Sequence, residues 1–188
     1  MVVKGYYDYY RPGCLSRFDL ILACGDLKRE YLEFLVTMAR CPLLYVRGNH
    51  DDGLEREPPE GCVCIEDRLY QYQGIRILGL GGSHRYGKGQ NMYTEAQMGL
   101  RILRQKPRIW RSGGIDILVT HAPARHINDF DTPAHQGFEC FVRLLDQYRP
   151  KYFVHGHVHK NYGLDIPERS VYRDTTVINA CGRCIFEY

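Results

Sequence analysis

The sequence predicts an α/β protein in which helices and β-strands alternate along the chain. Three segments carry apolar residues at the helical spacing i, i+3, i+4, i+7, and short apolar runs between them are typical of buried strands. This alternation is the pattern of layered α/β folds. The chain has 188 residues without a repeat, a low-complexity stretch or a linker, so we expect a single domain over residues 1–188.

Each predicted helix has its own signal. The first follows from the apolar spacing over residues 32–39. The second begins with the capping-box pair Thr94 and Gln97, and we expect Pro107 to break or kink it. The third covers residues 138–148, and the proline that follows ends it.

The predicted strands are short and separated by loops. They cover residues 18–24, 43–46, 75–80, 115–119 and 152–154. A hairpin is predicted at 71–77, with its turn at Gln73-Gly74, and the tail 171–188 has the pattern of two or three further strands. Loops 51–61, 81–93 and 122–136 are long for a compact domain, which makes them candidates for function.

The composition argues against several functional classes. The net charge of +3 is too small to indicate binding to nucleic acid or to an anionic membrane. No apolar stretch approaches the roughly 20 residues of a membrane span, and the N-terminal residues show no signal-peptide core. We therefore expect a cytoplasmic protein whose eight cysteines are reduced thiols, several of them buried.

Polar residues of metal-binding type follow four of the predicted strands. Because ligands of α/β sheets bind beyond the carboxyl ends of the strands, we expect these residues to meet at one edge. Carboxylate, amide oxygen and imidazole together suit a borderline divalent ion such as Mn, Fe or Zn. In chain order, the four segments are Gly25-Asp26, Gly48-Asn49-His50-Asp51, Thr120-His121 and His155-Gly156-His157-Val158-His159.

Taken singly, each segment also has a purely structural explanation. Gly25-Asp26 could be a turn at a strand end, and Asn49-His50-Asp51 could be a polar loop. Four such segments in series, each at a strand end, are much harder to explain by packing. We therefore interpret them together as a metal site.

The order Gly-Asp, Gly-Asn-His-Asp, Thr-His and Gly-His-x-His resembles that of the calcineurin-like metallophosphoesterase superfamily. The resemblance runs from about Asp19 to the C-terminus, and Gly81-Gly82-Ser83, Arg85-Tyr86 and residues 120–123 are similar to the small bacterial and metallophosphoesterase-domain members. It implies a four-layer α/β/β/α sandwich of two mixed sheets. It also implies two divalent metal ions of the Mn, Fe, Zn or Ni type.

The same resemblance implies roles for individual residues. Asp26 would bridge the two ions, and His159 would bind the first. His50 would lie near the leaving oxygen as a general acid, or would stabilise the phosphoryl charge. The remaining ligands of the second ion would be Asn49, His121 and His157. Two cations roughly 3.5–4 Å apart allow a metal-bound hydroxide to attack phosphorus in line.

One motif of the superfamily is missing. Its first strand ends in Asp-x-His or a close variant, whereas no histidine precedes Asp26 here. Either the sequence is shortened, with that strand upstream of Met1, or the lineage lost the first metal. We favour the former, because loss of a central strand exposes unpaired backbone. The first ion keeps Asp26 and His159, so we expect it to bind poorly unless another residue, such as Asp8 in a predicted helix, replaces the missing ligands.

Other residues give weaker indications. His84, Arg85 and His126 lie in loops and are candidate contacts to a substrate phosphate. The basic cluster at 101–111 is explained by a solvated helix face. A four-thiolate zinc site is conceivable, although cysteines in predicted strands are commonly core residues. Its members would be Cys62, Cys64, Cys181 and Cys184.

We therefore expect a metal-dependent phosphoesterase, with manganese as one suitable ion. It would act on a small phosphorylated substrate, a phosphodiester in preference to a phosphomonoester. The alternative is a catalytically weak or inactive scaffold of the same fold that binds a partner or a phosphate ligand. A nucleic-acid-binding module has only the arginine cluster in its favour. The substrate, the native metal and the oligomeric state do not follow from the sequence.

Overall fold

The computed structural model describes residues 2–159 and 166–188. These residues contain three α-helices and one short 3₁₀ helix at Asp52–Glu55. The α-helices are α1 (Arg29–Ala39), α2 (Glu95–Ser112) and α3 (Glu139–Tyr148).

Eleven strands in the described residues form three sheets. In chain order they are β1 (Ile21–Ala23), β2 (Leu43–Tyr45), β3 (Val63–Cys64), β4 (Arg68–Tyr72), β5 (Ile75–Leu80), β6 (Ser83–His84), β7 (Met92–Tyr93), β8 (Ile117–Thr120), β9 (Tyr152–His155), β10 (Arg169–Tyr172) and β11 (Thr175–Asn179). A three-stranded parallel sheet has the order β1-β2-β3, and a six-stranded mixed sheet has the order β10-β11-β9-β8-β5-β4. The strands β6 and β7 form a separate pair.

Three apolar clusters determine the order of the layers. Leu43 belongs to the cluster between α1 and the three-stranded sheet. The next residue, Leu44, points to the opposite face and joins Val119 of the six-stranded sheet in a cluster between the two sheets. Leu118, on the other face of the six-stranded sheet, packs in the cluster that contains Phe141 of α3. The order is helix, sheet, sheet, helix, and the predicted α/β fold class is confirmed.

Local signals located most elements correctly. Thr94 and Gln97 form a reciprocal capping box at the start of α2. The hairpin between β4 and β5 turns at Gln73-Gly74, and both turn residues have positive φ, as a two-residue loop requires.

The predicted break at Pro107 is wrong, because α2 continues to Ser112. The carbonyl that loses its donor belongs to Leu103, which is 56% exposed, so water can replace the missing hydrogen bond.

Several predicted elements differ from the structure. The strand β1 covers three residues and does not begin at residue 18. Residues 4–9 form turns instead of a helix, and Asp8 is exposed there. The three-stranded sheet is parallel, not mixed. Of the two or three strands predicted for the tail, the structure contains β10 and β11, which pair with each other at the edge of the six-stranded sheet. Residues 180–188 contain no strand.

Within residues 2–159 and 166–188, none of the helices combines the length and the apolar composition that crossing a bilayer requires.

Candidate metal centre

Four strands of the two sheets direct their following loops to one place. In the three-stranded sheet β1 runs parallel to β2, and in the six-stranded sheet β8 runs parallel to β9. The loop after β1 carries Asp26, and the loop after β2 carries Asn49. His121 follows β8 directly, and His157 follows β9 after one glycine. The packing of the sheets brings the four side chains together, as their positions at strand ends predict.

The side-chain atoms gather around one nitrogen of His121. The Nε2 atom of His121 lies 2.8 Å from Oδ1 of Asn49 and 3.0 Å from Nδ1 of His157. The nearest carboxylate oxygen of Asp26 is 3.5 Å away. His121 and Asn49 are 1% and 2% exposed, so the group is closed off from solvent on their side. We call Asp26, Asn49, His121 and His157 the four-ligand centre.

Two backbone carbonyls determine the tautomers of the histidines. Nδ1 of His121 lies 2.7 Å from the carbonyl oxygen of Cys24, and a carbonyl can only accept, so this nitrogen carries the proton. By the same argument Nε2 of His157 donates to the carbonyl of Ala134, at 2.6 Å. In the neutral imidazoles, the nitrogens that face the centre therefore present lone pairs. Such backbone partners orient metal-binding histidines in other proteins.

The four-ligand centre thus consists of acceptor atoms that face one another. The amide of Asn49 donates through Nδ2 to the hydroxyl of Tyr86, at 2.9 Å, which leaves its Oδ1 directed at His121. With both imidazoles neutral, as metal ligands must be, two imidazole lone pairs, an amide oxygen and a carboxylate share a small volume. Their mutual repulsion is relieved when a cation lies among them. Burial and the neighbouring His121 lower the pKa of His157 to about 3, so its imidazole is neutral, as a ligand must be.

The donor set fits a divalent ion. Ligand atoms of Asp26, His121 and His157 lie within 4.8 Å of one another, and they form the single such group of histidine, cysteine or acidic residues in the described part of the chain. One carboxylate, one amide oxygen and two imidazoles suit Mn, Fe or Zn. The four-thiolate zinc site is wrong. Cys62 and Cys64 pack in the cluster beside α1, whereas Cys184 packs in the cluster between the sheets.

The backbone at the centre adopts strained conformations. Asp26 and His157 have φ values of 54° and 64°, in the left-handed region that costs non-glycine residues about 1 kcal/mol or more. Gly25, also with positive φ, could not carry a side chain, because a Cβ there would lie 2.7 Å from Nδ1 of His121. A Cβ on Gly48 would collide with the carboxylate of Asp26. The two glycines therefore allow the loops after β1 and β2 to touch.

Asp51 connects those two loops. The sequence pattern places it in the segment Gly48-Asn49-His50-Asp51 but indicates no separate role for it. Its Oδ2 accepts the backbone N–H of Asp26 at 2.7 Å and that of Gly48 at 2.8 Å. Asp26 in turn accepts the backbone N–H of His50 at 2.9 Å. Burial raises the pKa of Asp51, and the two N–H donors act against that rise. The contact with Gly48 spans three residues, and aspartate side chains often form hydrogen bonds with the backbone at this range. This local tendency is the one sequence feature from which the contact could have been predicted.

The other predicted site residues have different surroundings. His50 is exposed beside the centre. His84 stacks on Phe138 with ring centroids 4.2 Å apart, and Arg85 donates to the carbonyl of Met92. His126 is exposed and has a φ of 59°.

His159 lies beside Cys181, and both line a cavity of about 970 Å³ that also reaches Asp26 and His121.

One member of the basic cluster, Arg101, is not solvated as predicted. It is buried and paired with Glu66 and Asp67.

We expect Asp51→Ala to lower the free energy of unfolding by about 1–3 kcal/mol, because two N–H groups lose their acceptor. It should also weaken metal binding roughly 10- to 100-fold, since the loop positions of Asp26 and Asn49 depend on it. Urea denaturation and metal titration measure these effects. Asp174→Ala, in the exposed turn between β10 and β11, is the matched control and should change neither quantity. Equal stabilities of the two variants would contradict this role of Asp51.

Comparison with known proteins agrees with the geometry. The family model for calcineurin-like phosphoesterases matches residues 6–161. A UPF0046 protein of Caenorhabditis elegans is 26% identical over 187 residues, covering 84% of this chain and 62% of that protein. A second UPF0046 protein of the same organism is 22% identical, covering 78% of this chain and 58% of that protein. The chain therefore spans about three fifths of the length of these curated relatives.

Solved structures share the fold. The crystal structure of the protein TT1561 of Thermus thermophilus superposes with a TM-score of 0.59 at 16% identity, covering 95% of this chain and 80% of that one. Another crystal structure gives a TM-score of 0.56 at 14% identity, covering 81% of this chain and 63% of that one. The match to the family model extends over most of the chain and includes all four segments of the centre. The chain belongs to the calcineurin-like phosphoesterase family.

Proposed function

We propose that the protein hydrolyses a phosphodiester, with a divalent ion held by Asp26, Asn49, His121 and His157. A phosphomonoester is the second choice of substrate. The observation that carries the proposal is the convergence of acceptor atoms on Nε2 of His121, at 2.8, 3.0 and 3.5 Å. When bound, the ion would supply Lewis-acid stabilisation of the phosphoryl oxygens and a more acidic water.

The protein's own groups prepare this chemistry. The carbonyls of Cys24 and Ala134 hold both imidazoles in the ligand tautomer before any ion arrives. Asp26 receives the His50 N–H on one carboxylate oxygen and directs the other towards His121. Because these groups are positioned in advance, binding requires little reorganisation.

We infer that His50 acts on the leaving group. Its backbone is fixed to Asp26, while its side chain is exposed at the edge of the centre. His50 and Asp26 also line a shallow cleft of about 430 Å³, together with Lys28. An imidazole here could donate a proton to the departing alkoxide oxygen, or stabilise phosphoryl charge.

The cleft favours a small substrate. Its volume lies in the range of small-molecule sites, and exposed Lys28 adds positive charge next to the phosphoryl position. We infer a manganese-type ion from the mixture of oxygen and nitrogen ligands. All eight cysteines are free thiols, which supports a reducing, cytoplasmic setting.

The first experiment measures hydrolysis of bis(p-nitrophenyl) phosphate with added Mn, Co, Ni or Zn. We expect activity that a chelator abolishes and that returns with the metal. Asp26→Asn should lose both bound metal and activity, because the neutral amide is a weaker ligand. Asp174→Asn, in the exposed turn between β10 and β11, is the control and should keep both.

Three outcomes would count against the proposal. Hydrolysis that survives the chelator, or an Asp26→Asn variant with normal metal content, would exclude the assigned centre. Stoichiometric metal binding without hydrolysis of any phosphoester would favour the alternative, a phosphate-binding scaffold of the same fold.

For His50, we expect His50→Ala to lower kcat by roughly 10²–10⁴ on a diester with an alkoxide leaving group, with little change in metal content. The loss should be much smaller with p-nitrophenolate, which needs no protonation. Steady-state kinetics on the two substrates, with elemental analysis of the variant, measures both effects. If the alkoxide substrate reacts at the parent rate, His50 is not the acid.

A further inference from the structure

The outer face of α2 carries a row of exposed apolar side chains. Leu100 is 47% exposed, Leu103 is 56% exposed and Trp110 is 83% exposed. Tryptophan is highly buried on average and is enriched at interfaces between proteins. A contiguous exposed row that ends in a tryptophan therefore indicates an interaction surface. With the exposed Ala96 and Pro107, we call these residues the α2 stripe.

The spacing of the α2 stripe is that of a coiled coil. From Ala96 to Trp110 its members follow one another at intervals of four, three, four and three residues, the a and d positions of a heptad pattern. At about 100° per residue, the stripe covers about 80° of the helix surface, which is narrower than the face that a helix usually buries in a protein core. This width fits a single partner helix better than a broad surface such as a lipid bilayer.

The rest of the fold holds the α2 stripe rigidly. The opposite face of α2 is buried through Met98, Ile102 and Ile109, which belong to the apolar cluster that contains Phe141. The buried Arg101 on that face is paired with acidic residues, as described above. Because α2 is already helical and packed, docking on its outer face requires no ordering of this chain.

The charges beside the α2 stripe are all positive. With the stripe at a and d, Arg104 and Arg111 occupy e positions and Lys106 occupies a g position, and these flanking positions determine partner choice in coiled coils. All three side chains are exposed, and within residues 2–159 and 166–188 none of them forms a salt bridge. The helix contains no acidic residue after Glu95.

We propose that the α2 stripe binds an acidic amphipathic helix of another protein. Such a helix would present leucine-like side chains at its a and d positions and carboxylates at e and g, beside Arg104, Lys106 and Arg111. A second copy of α2 does not fit, because either orientation would bring these cations against one another. The stripe is about 21 Å long, so we expect a small, transient interface with a roughly micromolar Kd.

The fluorescence of Trp110 reports docking directly, because it is the single tryptophan of the chain. The probe is a synthetic three-heptad peptide with leucine at a and d, glutamate at e and g, and no aromatic residue. When it is added to the whole chain, the Trp110 emission should shift to shorter wavelength as the indole leaves water, and added salt should weaken binding. The same peptide with lysine at e and g should give no shift in the same concentration range.

Two variants test the apolar and the charged part of the surface separately. Leu103→Gln and Arg104→Glu should each raise the Kd of the glutamate peptide at least about fivefold. Their thermal unfolding should match that of the parent, because both side chains are exposed. The matched controls are Val171→Gln, at an exposed apolar residue of β10, and Arg11→Glu, at an exposed arginine of the N-terminal segment. Both controls should bind the peptide as the parent does.

Three results would overturn the proposal. An equal emission shift with the lysine peptide would indicate a non-specific apolar contact. A shift with phosphatidylserine vesicles but not with the glutamate peptide would assign the α2 stripe to an anionic membrane surface. No shift with either peptide or with the vesicles would leave the stripe as a solvated helix face. None of these results bears on the proposed phosphoesterase activity, whose centre includes no residue of α2.

Discussion

The hydrogen bonds from His121 and His157 to two backbone carbonyls determine what this protein can bind. Each carbonyl fixes a proton on the outer nitrogen of its imidazole, and the inner nitrogen is left with a lone pair. The amide oxygen of Asn49 and the carboxylate of Asp26 face the same point. The repulsion among these four electron-rich atoms is relieved when a cation lies between them. The proposed hydrolysis depends on the Lewis-acid chemistry that such a cation would supply.

The fold brings these four atoms together by packing two sheets and by holding two residues in strained backbone conformations. Two sheets pack face to face, and parallel strands in each deliver loops to the same edge. The loops approach closely because Gly25 and Gly48 lack side chains, and Asp51 then fixes them through two backbone N–H groups. The left-handed backbone of Asp26 and His157 stores strain, and such strain persists only where the rest of the packed structure offsets it.

Much of the fold and most of the centre could be predicted from local patterns. The ends of β1, β2, β8 and β9 follow from short apolar runs, and the polar residues after them indicated where the sheets would meet. Contacts between distant segments could not be predicted. Arg101 looked like a solvated residue because its partners Glu66 and Asp67 are 35 and 34 positions away. The contact of Cys181 with His159 spans 22 residues and depends on how two loops fold against Asn179.

The most direct test is anomalous X-ray diffraction from crystals of the whole chain grown with manganese. The account predicts an anomalous peak within about 2.0–2.4 Å of Asp26 Oδ2, Asn49 Oδ1, His121 Nε2 and His157 Nδ1, a usual range for a divalent ion with such ligands. It also predicts that both imidazoles keep their contacts to the carbonyls of Cys24 and Ala134. A manganese-saturated crystal with no peak among these four atoms would contradict it.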